Sequence, residues 1–184
     1  MNTITEHIEK FKYAIHDLYK AYKFTHFSLY HLRDFYHKNK LDENINSFTI
    51  EDLAFEIKIE YTEHEIEQAR EDGYYQRILA GNTIALIYNL WEDEFRFKIS
   101  KCLGYSGTGR DKIMNDFFGD LGKIRHSITH NRFNRTSNID NLVKLHYLFR
   151  DNTFILDSIT VHEIIEKTLL ELEIIKKQDH KQLD

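Results

Sequence analysis

Not one of the 184 residues is proline, and only seven are glycine. Proline lacks a backbone N–H and its ring clashes with the preceding helical turn, so a chain without it can stay helical for long stretches. The prior is therefore all-α, a helical bundle of about four to six helices. A length of 184 residues argues for a single domain, residues 1–184, with one continuous core and no need of disulfides or structural metals. Thirteen Phe and eleven Tyr exclude a disordered chain, which would lack the apolar surface to offset its conformational entropy.

Periodicity supports this reading. Ile8, Phe11, Ile15, Leu18, Tyr22, Leu29, Leu32 and Tyr36 recur at helical spacing and predict one long N-terminal helix over about 4–37, or two with a break near 25–28. Lys38 to Ser47 is a polar connection. Residues 48–61 are ambiguous: Phe55, Ile57, Ile59 and Tyr61 alternate like a strand, whereas Ile50, Leu53, Ala54 and Ile57 suit a helix, and helix is the expectation. Residues 51–72 carry nine acids against Lys58 and Arg70, the pattern of a solvated helix face.

Residues 63–101 read as the central helix, with Ile84, Ile87, Tyr88, Trp91 and Phe95 forming its apolar stripe and Gly73 and Gly81 as kink points. Residues 103–110 hold three glycines. Without the Gly-Lys-Ser/Thr ending of a phosphate-binding loop or a strand before them, they predict a plain connection. A further helix is expected over 111–130, then a short hairpin or irregular excursion within 142–156. A last helix should start at Thr160, whose spacing to Glu163 fits a capping box.

No apolar run approaches the ~18 residues of a membrane span, and Met1 to Lys20 has no signal-like apolar region. A soluble, cytoplasmic protein with no membrane partner is expected. Cys102 is the only cysteine, so neither an internal disulfide nor a paired-cysteine zinc site is available.

The chemically distinctive stretch is Leu121 to Asn138. It contains Lys123, Arg125, Arg132 and Arg135, two imidazoles at His126 and His130, and no acid; it is +4 within a chain of −5. A local reversal of sign is what a phosphate-bearing ligand needs on an otherwise repelling surface, although basic side chains also gather at helix C-termini to complement the dipole. His126 and His130, four apart, share a helix face and could grip a metal, yet no third ligand stands at a recognisable spacing, so no metal and no other cofactor is expected.

The segment Arg125-His126-Ser127-Ile128-Thr129-His130-Asn131 resembles the signature of HEPN domains, an Arg, four to six residues, then a His, often with a polar residue after the Arg. His126 fits that polar position, and Asn131 fits the Asn that follows the His in several subfamilies. Upstream, Leu90-Trp91-Glu92 resembles the Trp-Glu pair of some toxin-like HEPN nucleases. The likeness covers about residues 75–175. It implies an all-α fold, a homodimer in which two motifs face one cleft, and metal-independent cleavage of RNA. Arg125 and His130 would be catalytic, with His126, Asn131 and Glu92 in support, and Lys123, Arg132 and Arg135 would bind the RNA phosphates. It further implies a toxin or defence effector restrained by an inhibitory antitoxin protein, or a member without activity that binds nucleotide or RNA or mediates assembly. Arg132 stands where nucleotidyltransferase-paired toxins carry an adenylyl-accepting Tyr, which speaks against that mode of neutralisation. A helical interaction protein working through its acidic 51–72 surface is the remaining reading.

The chemistry is sound on first principles. The 2′-hydroxyl of RNA lies beside the phosphate and attacks it once a base takes its proton, leaving a 2′,3′-cyclic phosphate and a 5′-hydroxyl. An imidazole titrates near neutrality, and a guanidinium can hold the phosphate and its transition-state charge. One difficulty is geometric: residues five apart on a straight helix diverge by about 140°. Either the helix ends before His130, or two chains contribute.

Overall fold

A computed structural model describes residues 3–40, 46–131, 133, 139–150 and 153–179. The long N-terminal helix is real and continuous: α1 spans Ile4–Asn39, opened by a capping box in which Thr3 and Glu6 satisfy each other's backbone N–H groups. Ile4, Ile8, Phe11, Ile15, Tyr22 and Tyr36 turn inward from it.

The ambiguous stretch at 48–61 folds as strands, against the helical expectation. β1 (Ser47–Asp52) pairs antiparallel with β2 (Ile57–Thr62), placing Phe48 opposite Tyr61, Ile50 opposite Ile59 and Asp52 opposite Ile57. The two-residue alternation won because the turn fixes it: the Asp52 carboxylate accepts the N–H groups of Ala54 and Phe55 at 3.0 and 3.3 Å, and Glu56 takes φ +55°.

The acidic segment is therefore no continuous helix face. Its first part is in the hairpin, and three later acids bond to α1 or its C-cap. Glu63 accepts from Lys40 at 3.0 Å, Glu67 from Arg33 and His37, and Glu71 pairs with His26 at 3.3 Å. These bonds hold the short α2 (Glu63–Glu67) and the turn after it against α1. At Glu67 burial pushes the carboxyl up, but the bonds from His37 and Arg33 outweigh it and the pKa is lowered.

Gly73 ends this turn and caps α3 (Tyr74–Asn89). Gly81 does not kink α3. It receives the ring of Phe133, and a Cβ there would lie 2.4 Å from that ring. After Asn89 the backbone widens into a π turn, Leu90–Phe95, and then tightens into α4 (Arg96–Cys102). The expected central helix is thus three helices and a π turn, broken at Gly73. The glycine-rich 103–110 stretch is a connection, as expected, with positive φ at Gly104, Gly107 and Gly109.

α5 runs Asp116–Asn131, starting five residues later than the periodicity suggests because Asn115 caps it by accepting the Phe118 N–H at 3.1 Å. After 3-10 turns at Ile139–Asn141 and His146–Leu148, β3 (Phe149–Arg150) and β4 (Thr153–Phe154) form the expected short hairpin within 142–156. The last helix, α6, spans Ser158–Asp179. It is capped by Asp157, whose carboxylate accepts the Thr160 N–H at 2.8 Å, so Thr160 is inside the helix and is not its cap.

The core is aromatic at its centre. Trp91 stacks on Phe118 with ring centroids 4.0 Å apart and nearly parallel planes, and Phe11 stacks on Phe95 at 4.7 Å. Two such buried pairs tie α1, the π turn and α5 together, each adding about 0.5–1.5 kcal/mol to its area burial. The architecture is an all-α bundle with short hairpins. No helix among the described residues is long and apolar enough to cross a membrane.

Candidate functional site

α5 carries the candidate residues and divides into two faces. Phe117, Phe118, Leu121, Ile124 and Ile128 lie inward at helical spacing and bury the helix mainly against α3. The helix continues without interruption to Asn131, so the alternative that it ends before His130 is excluded. Within one chain Arg125 and His130 diverge around the axis and are not brought together.

Arg125 occupies the shoulder of α5, half-buried. One turn earlier Gly122 meets Tyr88 of α3, where a Cβ would stand 2.9 Å from the ring. The Arg125 Nε is enclosed, with no hydrogen-bond partner. Burying such a donor without a partner costs about 1–3 kcal/mol. Burial, and next the Glu92 carboxylate, push the Tyr88 hydroxyl up, while the charges of Arg96 and Arg125 pull it down. Tyr88, Glu92, Arg96 and Arg125 therefore share one electrostatic neighbourhood.

His126 and His130 are exposed on the next strip of α5, their rings 4.8 Å apart. Neither is enclosed. Among the described residues no third His, Cys, Asp or Glu joins them in a group that could hold a metal ion. Asn131 ends the helix half-buried. Ser127 is fully buried on the inward face, and its carbonyl accepts the Phe133 N–H at 3.2 Å.

Two predicted site residues are committed elsewhere. Glu92 accepts from Arg96 at 2.7 Å and from Lys112 at 3.3 Å, so its carboxylate orients those cations rather than Arg125. Arg96 also donates to the Ile113 carbonyl at 3.0 Å, which fastens the 103–115 connection to α4. Lys123 bonds the Asp120 carboxylate at 3.0 Å and the Asn141 carbonyl at 2.6 Å. It belongs to the scaffold and is not a free phosphate ligand. Arg132 and Arg135 lie outside the described residues.

Sequence reasoning passed over Asp120. Its fully buried carboxylate accepts the N–H groups of Val143, Lys144 and Leu145 at 2.8, 2.6 and 3.1 Å, anchoring the segment that follows the motif. The available signal was an acid directly before the acid-free stretch and three residues from Lys123. Tyr88 and Arg96 were also missed as neighbours of the motif. They line a cleft of about 90 Å³ together with Glu92, Asn115 and Gly119. No atom comes within 4 Å of where a Gly119 Cβ would stand, so α5 is bare there.

Comparison with protein-family models, curated proteins and solved structures found no match to this chain.

Proposed function

We propose that the chain is a metal-independent endoribonuclease of the HEPN type, working as a homodimer. The carrying observation is one uninterrupted helix that bears the Arg125 guanidinium, half-buried with a partnerless Nε, and two solvent-open imidazoles, His126 and His130. In this reading Arg125 holds the scissile phosphate. His130 takes the 2′-hydroxyl proton, the 2′-oxygen bonds to phosphorus, and the 5′-oxygen leaves with a proton from the second copy's histidine. The products are a 2′,3′-cyclic phosphate and a 5′-hydroxyl. Because Arg125 and His130 diverge by about 140° on one helix, the reacting set comes from two α5 helices facing one cleft. His126 and Asn131 support the phosphate at the rim. A cytoplasmic toxin or defence effector of this kind is held in check by an inhibitory partner protein.

The test is cleavage of labelled RNA by the purified protein in excess EDTA, with His130→Ala and Arg125→Ala beside it and end-group analysis of the products. Wild type alone should cut and leave cyclic phosphate ends, with a 100-fold or greater loss in each variant, about the range of a positioned acid–base group. Equal cleavage by wild type and variants, or none on several RNAs with all three proteins folded, overturns the reading. The divergence of Arg125 and His130 within one chain favours a second reading, a non-catalytic module that binds nucleotide or RNA. RNA binding that needs Arg125 without any cleavage would select it.

A further inference from the structure

The β1–β2 hairpin has one polar and one apolar face. Thr49, Glu51, Lys58 and Glu60 lie on the first; Phe48, Ile50, Ile57, Ile59 and Tyr61 lie on the second, together with Asp52 at its far end, whose carboxylate is taken up by the Ala54 and Phe55 N–H groups of the turn. At the root, half-buried Phe48 and Tyr61 close an apolar cavity of about 270 Å³ whose other walls include Leu29, Leu32, Ile66 and Tyr75. Beyond the root the apolar face is uncovered. Ile50, Ile57 and Ile59 are 39–49% exposed, and at the turn Leu53 and Phe55 are 86% and 74% exposed. Among the described residues the two strands pair only with each other. A lone two-stranded hairpin is marginal in water and needs a packed face to hold its shape.

We infer that this hairpin is an exchange arm: Leu53 and Phe55 at its tip seat in the root cavity of a second copy of the chain, and the second copy's tip seats reciprocally in the first. Knob and hole are both present on every chain, which is the requirement of a two-fold isologous contact. They cannot meet within one chain, because the tip lies at the other end of the same hairpin. Four residues separate the root pair from the last pair, about 13 Å of strand, with the turn beyond. The sizes agree, since a cavity of about 150 Å³ already accepts benzene, and this one takes a phenylalanine ring with room beside it. Specific interfaces need upwards of about 1,000 Å² of total area, and each arm offers five apolar side chains, Ile50, Leu53, Phe55, Ile57 and Ile59, that are 39–86% exposed. The cavity shares no lining residue with the cleft beside α5, so the arm is separate from the Arg125 and His130 helix.

The experiment measures particle mass by sedimentation on the full chain at tens of micromolar, for wild type and for the double variant Leu53→Asp, Phe55→Asp. Both side chains are exposed, so the variant should keep the wild-type helical circular dichroism while its association weakens about 100-fold or more and its mass falls by half, from four copies to two where α5 pairing also holds and from two to one where it does not. Independently, a photoreactive phenylalanine analogue at position 55 should cross-link to peptides containing Leu29, Leu32 or Tyr75 of a second chain. An unchanged mass in the double variant, cross-links to other surfaces only, or a small apolar molecule released stoichiometrically from the wild-type cavity on denaturation overturns the inference.

Discussion

The inward and outward faces of α5 treat their polar side chains in opposite ways. On the inner side Asp120 has three backbone N–H groups and the Lys123 ammonium on its two oxygens, and Lys123 is in turn bound to the Asn141 carbonyl. On the shoulder and outer side the Arg125 Nε is enclosed without a partner and both histidines stand open. A buried carboxylate with saturated oxygens is structural, whereas an enclosed donor with none is a cost to the fold that the proposed function sets against a ligand. Among the described residues, the basic segment read from sequence as one unit thus divides into two populations: Lys123, which is spent on the fold, and Arg125 with the two histidines, which are not.

The largest way to break that division is at Asp120. Asp120→Ala strands three amides and an ammonium, and should lower stability by about 3–5 kcal/mol, measured by urea denaturation. A loss under 1 kcal/mol would mean that the anchor is ornamental. Next in size is Gly122→Ala, whose added Cβ would stand 2.9 Å from the Tyr88 ring. Overpacking of this kind costs about 1–3 kcal/mol, and the shifted ring should disturb Arg125 as well as stability. Gly119→Ala, three residues earlier and in open space, is the control; it should not destabilise, since alanine is the better helix former.

Arg125→Met inverts the sign. Removing an enclosed donor that has no partner relieves its desolvation, so the variant should be more stable by about 1 kcal/mol, a rise of roughly 2–4 °C in melting temperature for a chain of this size. It should also lose RNA cleavage. A variant that is less stable than wild type would show that Arg125 serves the fold, and would move it to the same class as Lys123.

Much of this scaffold was legible. The run of Ile8, Phe11 and Ile15 gave α1, the stripe Ile84, Ile87, Trp91 and Phe95 gave the helical core, and alternation around residues 142–156 gave the small hairpin. Two things were not. The strands at 47–62 satisfy both periods over a short run, and the deciding contribution is the Asp52 side chain closing its own turn, a local bond that hydrophobic pattern does not record. In the candidate site, charge counting marked a segment but could not say which of its cations were already bound. That depends on Asp120 meeting a backbone more than twenty residues away, and Glu92 similarly meets Lys112 twenty residues on.

The smallest effect gives the cleanest separation of the two populations. Each cation that touches a phosphate releases about one counterion, so its removal reduces the slope of log affinity against log salt by nearly one, whereas a cation bound inside the protein releases none. Lys123→Met and Arg125→Met delete the same formal charge from the same helix, two residues apart. If the division holds, RNA binding followed by fluorescence anisotropy across a salt series should show a slope lower by about one for Arg125→Met and unchanged for Lys123→Met, whatever happens to absolute affinity. Equal drops would mean that Lys123 leaves Asp120 to meet the RNA. In that case the 139–148 segment must loosen when RNA binds, and the inner face of α5 would belong to the site after all.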